Sequence, residues 1–227
     1  MMITADYLQH CGTDTMVVNA ARVSFAKESA MFNDKDAGLI SYLAKHKHKS
    51  PFNHTFATFR VKAPIFVARQ LVKHEYMPWN EVSRRYVDDE PEFYVPDVWR
   101  GRSADKKQGS DGEIEIENYM PMLISNNKCQ IMPSDQFGNT YDSLNDFYDH
   151  SESLYDALLK MNVAPEQARM VLPQSTMTEW WWSGTIYAFA NMCNLRCAPD
   201  TQLETRLVAN QICDKLRELF PVSWLAL

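Results

Sequence analysis

Over 34–45 the apolar positions Ala37, Leu39, Ile40, Leu43 and Ala44 recur at helical spacing, and the polar run Lys45-His46-Lys47-His48-Lys49-Ser50-Pro51 ends the pattern. Over 55–62 the period changes to two. Ala57, Phe59 and Val61 fall on one side and Phe56, Thr58, Arg60 and Lys62 on the other, as in a half-buried strand. Pro64 suits the first turn of a helix carrying Ile65, Val67, Ala68, Leu71 and Val72, and Pro78 forbids its continuation. On that helix Gln70, Lys73 and His74 sit at i, i+3 and i+4 and share one polar face. Past Pro78, residues 79–86 read as extended, which places Glu81, Ser83 and Arg85 on one side.

Periodicity then disappears. Between 100 and 140, Gly101, Gly109, Gly112, Gly138, Asp105, Asp111, Asp135, Ser110 and two prolines interrupt any pattern. This composition predicts a flexible insertion at about 100–140 within a single domain spanning 1–227. Helical patterns follow over 141–161, 165–172 and 175–196. A last helix starts at Thr201, with Glu204 three residues on as a capping box, and carries Leu203, Leu207, Val208, Ile212, Leu216 and Leu219 as far as Pro221. With strands in the first half and helices mostly in the second, the predicted class is α+β.

The chain has 227 residues, with 29 acidic and 23 basic side chains giving a net charge of −6. An acidic chain lacks the basic field of a general nucleic-acid or membrane-surface binder, so an anionic ligand must meet a local cationic pocket. No stretch of about 18 apolar residues is present to span a membrane. Met1-Met2-Ile3-Thr4-Ala5-Asp6 reaches an acid before any apolar run, unlike a signal peptide. Five scattered cysteines make a poor disulfide plan and predict a reducing, cytoplasmic setting. No metal site is expected. His46 and His48 are spaced like a metal pair but lie among Lys45, Lys47 and Lys49 with no acidic ligand near in sequence. Cys193 and Cys197, four apart on a helix, read as small buried hydrophobes, and Trp180-Trp181-Trp182 as packing.

The segment 70–85 concentrates chemistry. A serine hydroxyl beside a guanidinium fork suits a phosphate, and a nearby carboxylate suits a sugar hydroxyl. Lys73-His74-Glu75, seven residues and then Ser83 resembles the Arg-His-Arg, seven residues, Ser signature of the flavin-dependent thymidylate synthases, with the central His and the Ser strictly matched. The blocks Ala20-Ala21-Arg22-Val23-Ser24-Phe25, His48-Lys49-Ser50-Pro51-Phe52-Asn53-His54 and Val61-Lys62-Ala63-Pro64-Ile65-Phe66-Val67-Ala68-Arg69-Gln70 resemble family blocks in the same order. So do Glu92-Phe93-Tyr94-Val95-Pro96, Ala168-Arg169-Met170-Val171-Leu172-Pro173 and Asn191-Met192-Cys193-Asn194-Leu195-Arg196.

The resemblance implies a central, mostly antiparallel sheet flanked by helices, and a homotetramer with active sites between subunits. It implies FAD as cofactor, dUMP as substrate, and NADPH and methylenetetrahydrofolate as co-substrates. It places dUMP on Gln70, Lys73, Glu81, Ser83, Arg84, Arg85, Arg169 and Arg196, with Arg196 as the catalytic cation. It places FAD on Ser24, Ser50, Asn53, Lys73, His74, Glu75, Glu81, Tyr187 and Asn191. Departures concern charge. Arg84 replaces a family Gly, so its side chain is expected to point away. Glu75 replaces the second signature Arg, and its carboxylate is expected to turn from the cofactor phosphates or pair with a cation. Thr185 and Tyr187 stand where the family has Asn-x-Arg, with Arg60 or Lys62 as candidate replacement cations. Two alternatives accompany this reading: a cysteine-nucleophile thymidylate synthase, which the lack of a Pro-Cys context opposes, and a non-catalytic nucleotide-binding homologue with a degraded flavin site.

Overall fold

The computed structural model describes residues 2–87, 89–104, 109–114, 123–125, 128–130 and 144–227. Its chain forms two compact units, one of Met1–Val82, Ser103–Gly109 and Thr178–Leu227, the other of Ser83–Arg102 and Ser110–Met177.

In the first unit β1 (Thr4–Cys11) pairs antiparallel with β2 (Phe56–Pro64), running from Thr4 opposite Lys62 to Cys11 opposite Phe56. Between them lie α1 (Asp14–Arg22) and α2 (Asp34–Lys45). The bounds of α2 are those expected from its pattern. Its start is fixed by a reciprocal box in which Asn33 accepts the Lys35 N–H at 3.0 Å and Asp36 accepts the Asn33 N–H at 3.1 Å. Asp36 is fully buried, pairs with Arg22 and accepts the Ser29 hydroxyl at 3.1 Å, so one ion pair anchors the connection between α1 and α2.

On β2, Ala57, Phe59 and Val61 are buried as the alternation predicts, but Thr58 on the opposite side is buried too, its Oγ1 3.0 Å from Ser183 Oγ. α3 (Ile65–Leu71) follows Pro64 and stops well before Pro78. β3 (Trp79–Glu81) is shorter than the extended run expected over 79–86, because Tyr86 N–H donates to Ser83 O at 2.9 Å and closes a turn.

The second unit holds two hairpins, β4 (Trp99–Arg102) with β5 (Ser110–Ile114), and β6 (Leu123–Ser125) with β7 (Lys128–Gln130). The described part of the expected insertion therefore contains strands, each of three to five residues and too short to leave a period in the sequence. The rest of that insertion, 105–108, 115–122, 126–127 and 131–140, lies outside the described residues. α4 (Leu144–Lys160) and α5 (Pro165–Ala168) complete the unit, with Phe93 stacked on Tyr148 at 4.6 Å and Ser151 Oγ donating to Val171 O at 2.8 Å.

The helix expected over 175–196 divides in two. β8 (Met177–Thr185), in the first unit from Thr178 onward, is a strand, and α6 (Ile186–Arg196) begins where Thr185 Oγ1 accepts the Ala188 N–H at 3.2 Å. The reason is visible in the tryptophans: Trp180 and Trp182 are buried while Trp181 is 55% exposed, a period of two that three identical residues conceal. α7 (Leu203–Leu219) and α8 (Pro221–Ala226) end the chain. The expected capping box at Thr201 does not form, since Thr201 Oγ1 donates to Leu195 O at 3.0 Å and α7 starts after Gln202. α8 is instead held by buried Asp14, which accepts the N–H groups of Val222 and Ser223.

The main sheet has the order β1-β2-β8-β3, with β1–β2 and β3–β8 antiparallel. Phe59, Val61, Trp182, Phe189, Ile212 and Leu216 are fully or almost fully buried around it. The class is α+β, as expected. Among the described residues no helix is long and apolar enough to cross a membrane.

Candidate functional site

A cleft of about 710 Å³ opens in the first unit, within the range of about 300–1,000 Å³ usual for small-molecule and cofactor sites. Three short stretches build it. The turn Ser50–His54 and the residue before it supply Asn53 and Lys49, the segment after α3 supplies Lys73, His74, Glu75 and Tyr76, and the start of α6 supplies Thr185, Tyr187 and Asn191. Asn53 Oδ1 accepts the Thr185 hydroxyl at 2.8 Å, which ties the first stretch to the third. Lys49 Nζ lies 5.6 Å from the centroid of the Tyr187 ring, a cation–π contact. A neighbouring pocket of about 390 Å³ shares Lys49, Tyr187 and Asn191 and adds Lys47 and His48.

At the C-terminal end of α6, Arg196 Nε donates to His74 Nε2 at 3.0 Å. Half-burial and then the Arg196 charge lower the His74 pKa to about 4, so the imidazole is neutral near pH 7. Partial burial also lowers the pKa of Arg196 from its ordinary value. The guanidinium is not spent on the end of its own helix, where the Cys197 N–H closes the last turn onto Cys193 O.

The expected polar face of Gln70, Lys73 and His74 is not formed, because α3 ends at Leu71 and His74 N–H closes a turn onto Leu71 O. Gln70 turns to α7 instead, with Nε2 donating to Gln202 Oε1 and Oε1 accepting the Thr205 hydroxyl at 3.1 Å. The same early helix end corrects the reading of Glu75: no helix turns it away, and it is exposed and lines the cleft. Among the described residues no ion pair engages it. Tyr76, 87% exposed, holds φ at 60°, a left-handed backbone that reverses the chain beside the cleft.

Asn53, Lys73, His74, Glu75, Tyr187 and Asn191 are thus brought together, whereas Ser24 and Ser50, both exposed, do not line the cleft. Glu81 lies on β3, where its carboxylate accepts Trp79 Nε1–H at 3.0 Å and the Thr178 hydroxyl at 2.8 Å. Within the second unit, Ser83 Oγ accepts Arg85 Nε–H at 3.2 Å. Arg84 is directed to Asp89 O at 2.6 Å and over the Tyr155 ring, and Arg169 is exposed.

The residue that the sequence reading missed is Lys49. It stands inside a matched block, yet its lysine-rich run reads as a solvated helix end. The cations named as replacements do not line this cleft. Arg60 faces Asp6 across the β1–β2 pair at 3.6 Å, as its register dictates. His46 and His48 pack around Tyr42, with centroid distances of 4.3 and 6.1 Å, which accounts for them as ring packing.

Residues 7–222 match the family described as Thymidylate synthase complementing protein, a match that runs through both units. The chain is 37% identical over 215 residues to a flavin-dependent thymidylate synthase of Thermus thermophilus, covering 95% of this chain and 72% of the relative. It is 36% identical over 210 residues to a flavin-dependent thymidylate synthase of Thermosipho melanesiensis, covering 92% and 83%. The fold is similar to that of a UMP/dUMP methylase from Streptomyces cacaoi bound with 5-Br dUMP, with a TM-score of 0.74 and 30% identity, covering 99% of this chain and 94% of the other. A second structure of that methylase, bound with 5-Br UMP, is similar at the same TM-score and 29% identity.

Proposed function

The chain belongs to the family of flavin-dependent thymidylate synthases, and from that premise we propose that it methylates dUMP to dTMP, with methylenetetrahydrofolate as one-carbon donor and NADPH-reduced FAD as hydride source. The observation that carries this reading is the convergence of family-motif residues from three separated stretches on one cleft, with Arg196 held against His74.

The cleft residues fit a flavin nucleotide. Lys49 and Lys73 supply cations for phosphates, Asn53 and Asn191 supply amides, and Tyr187, Tyr76 and His74 supply rings. Glu75 is the one lining residue whose charge opposes a polyanion. When bound, the flavin supplies hydride transfer. We assign FAD to Asn53, Lys73, His74, Glu75, Tyr187 and Asn191 with Lys49 added, and retain Ser24, Ser50 and Glu81 on the family match alone.

For dUMP we keep Gln70, Lys73, Glu81, Ser83, Arg84, Arg85, Arg169 and Arg196, with Arg84 acting through its backbone, since its side chain is engaged by Asp89 O. C5 of uracil attacks a one-carbon electrophile best when the ring carries enolate-like negative charge on its N3–O4 edge, and a cation aimed at that edge stabilises this activated form. Neutral His74 takes Arg196 Nε–H and leaves the two terminal nitrogens as the donating fork.

We further propose a homotetramer in cytoplasm. Val23, Phe25 and Met31 are 73%, 75% and 81% exposed in one short segment, an apolar surface that subunit contact would cover. Light scattering on the purified protein reads this directly.

The decisive experiment follows absorbance and product together. A flavin band, with dTMP formed from dUMP only when methylenetetrahydrofolate and NADPH are present, is the expected result, with UMP a poorer substrate. Uptake of dUMP without flavin or turnover would establish the alternative, a nucleotide-binding homologue whose flavin site Glu75 and Tyr187 have degraded.

A further inference from the structure

We propose that Cys193, Cys197 and Cys213 form a site for a thiophilic d¹⁰ cation, Zn²⁺, that ties the C-terminal turn of α6 to α7. The three sulfurs lie within 4.8 Å of one another, and among the described residues no other group of three His, Cys, Asp or Glu side chains meets that geometry. Cys193 and Cys197 are one helical turn apart and share a face, and Cys213 meets them from α7. With Zn–S bonds of about 2.3 Å, tetrahedral thiolates stand about 3.8 Å apart, so modest side-chain rotation closes the set.

Donors aimed at Cys213 suit a thiolate there. Cys213 Sγ accepts Trp224 Nε1–H at 3.4 Å and Arg217 Nη2–H at 3.5 Å. Such outer donors tune metal-bound sulfur. Cys193 is buried and its thiol donates to Ala209 O at 3.7 Å, a proton that leaves when metal binds. Binding one Zn²⁺ converts three thiols to thiolates with release of up to three protons and no change of oxidation state. The resulting charge of −1 faces the Arg217 Nη2–H, while the other terminal nitrogen of Arg217 pairs with Asp214 at 2.7 Å, so the local sum with both side chains stays at −1 and the half-exposed site leaves it to solvent. Cys197 and Cys213 are only half-buried, so water can complete the fourth position.

The test titrates the reduced, metal-free full chain with Zn²⁺ against a chromophoric chelator, and with Co²⁺ as a spectroscopic probe. One equivalent per chain and a thiolate-to-cobalt charge-transfer band are expected. Cys213→Ser should abolish both, whereas Cys11→Ser, at an exposed thiol on β1, should leave both unchanged. Arg217→Gln, at a 60% exposed side chain, should weaken Zn²⁺ binding by about ten- to a hundredfold. If Cys213→Ser does not fold, Arg217→Gln decides, and unchanged affinity there overturns the site. So does the absence of stoichiometric uptake, or uptake that survives in folded Cys213→Ser.

Discussion

Arg196 Nε donates to His74 Nε2 across 3.0 Å, joining the end of α6 to the turn that follows α3. Arginine has no acceptor, so His74 Nε2 must present its lone pair, and the neutral imidazole carries its proton on Nδ1. Burial and the adjacent cation both penalise a second proton, burial more, and together they set the pKa at about 4.

Removing the cation should leave only the larger cause. In Arg196→Gln the His74 pKa rises from about 4 but stays below the ordinary 6.5, because the ring keeps its burial. Histidine ring resonances followed by NMR against pH read this. A value at 6.5 would mean that burial contributes nothing, and no change would mean that the guanidinium does not act on the ring.

The same shift predicts the direction of acid sensitivity. Between about pH 6.5 and 4 the unfolded chain binds a proton at His74 that the folded chain refuses, so stability falls as pH falls through that window. Half-exposure and solvent screening limit the effect to about 1 kcal/mol. In His74→Gln that part of the acid loss should vanish from denaturant midpoints measured across the window.

Two opposite charges at the cleft should have opposite effects on cofactor affinity. Lys49→Ala removes the cation over Tyr187, and FAD binding should weaken by about tenfold. Glu75→Gln removes an exposed like charge, and binding should tighten by about two- to fivefold, with the gain shrinking at high salt. Flavin fluorescence titration measures both. A gain from Glu75→Gln beyond about tenfold would place the carboxylate directly against the phosphates.

Asp36 is wholly buried and depends on Arg22 for its charge partner. Arg22→Met leaves that carboxylate uncompensated, and stability should drop by about 3–5 kcal/mol. Urea unfolding checks it: a drop below about 1 kcal/mol would show that Ser29 and Asn33 alone satisfy Asp36.

Elements whose pattern is carried by near neighbours are legible in the sequence, and those decided by pairing with distant segments are not. The bounds of α2 follow from its own periodicity and the polar run that ends it, and the α+β class from the order of patterns. β8 escaped because Trp180-Trp181-Trp182 shows no polar alternation; only pairing with β3 exposes the middle ring. α3 ends at Leu71, short of Pro78, which marks a limit and not an end, and what Gln70 bonds to, Gln202 and Thr205, lies far along the chain. In the cleft, motif order brought six assigned residues together, while Lys49 is recognisable only once α6 sets Tyr187 beneath it.

The most discriminating variant is Arg196→Lys. Lysine keeps a positive charge but loses the planar fork and the Nε–H that binds His74, so it cannot be held by the same contact while presenting two donors to adjacent ring acceptors. Flavin binding should persist, since Arg196 does not line the cleft, and flavin reduction by NADPH should stay near normal. Formation of dTMP should fall by about a hundredfold or more, the usual scale for losing one aimed electrostatic stabiliser. Single-turnover measurements separate the two half-reactions. Near-normal dTMP formation would move the activating charge to another cation such as Arg169, and a parallel loss of flavin would make Arg196 a holder of the cleft through His74.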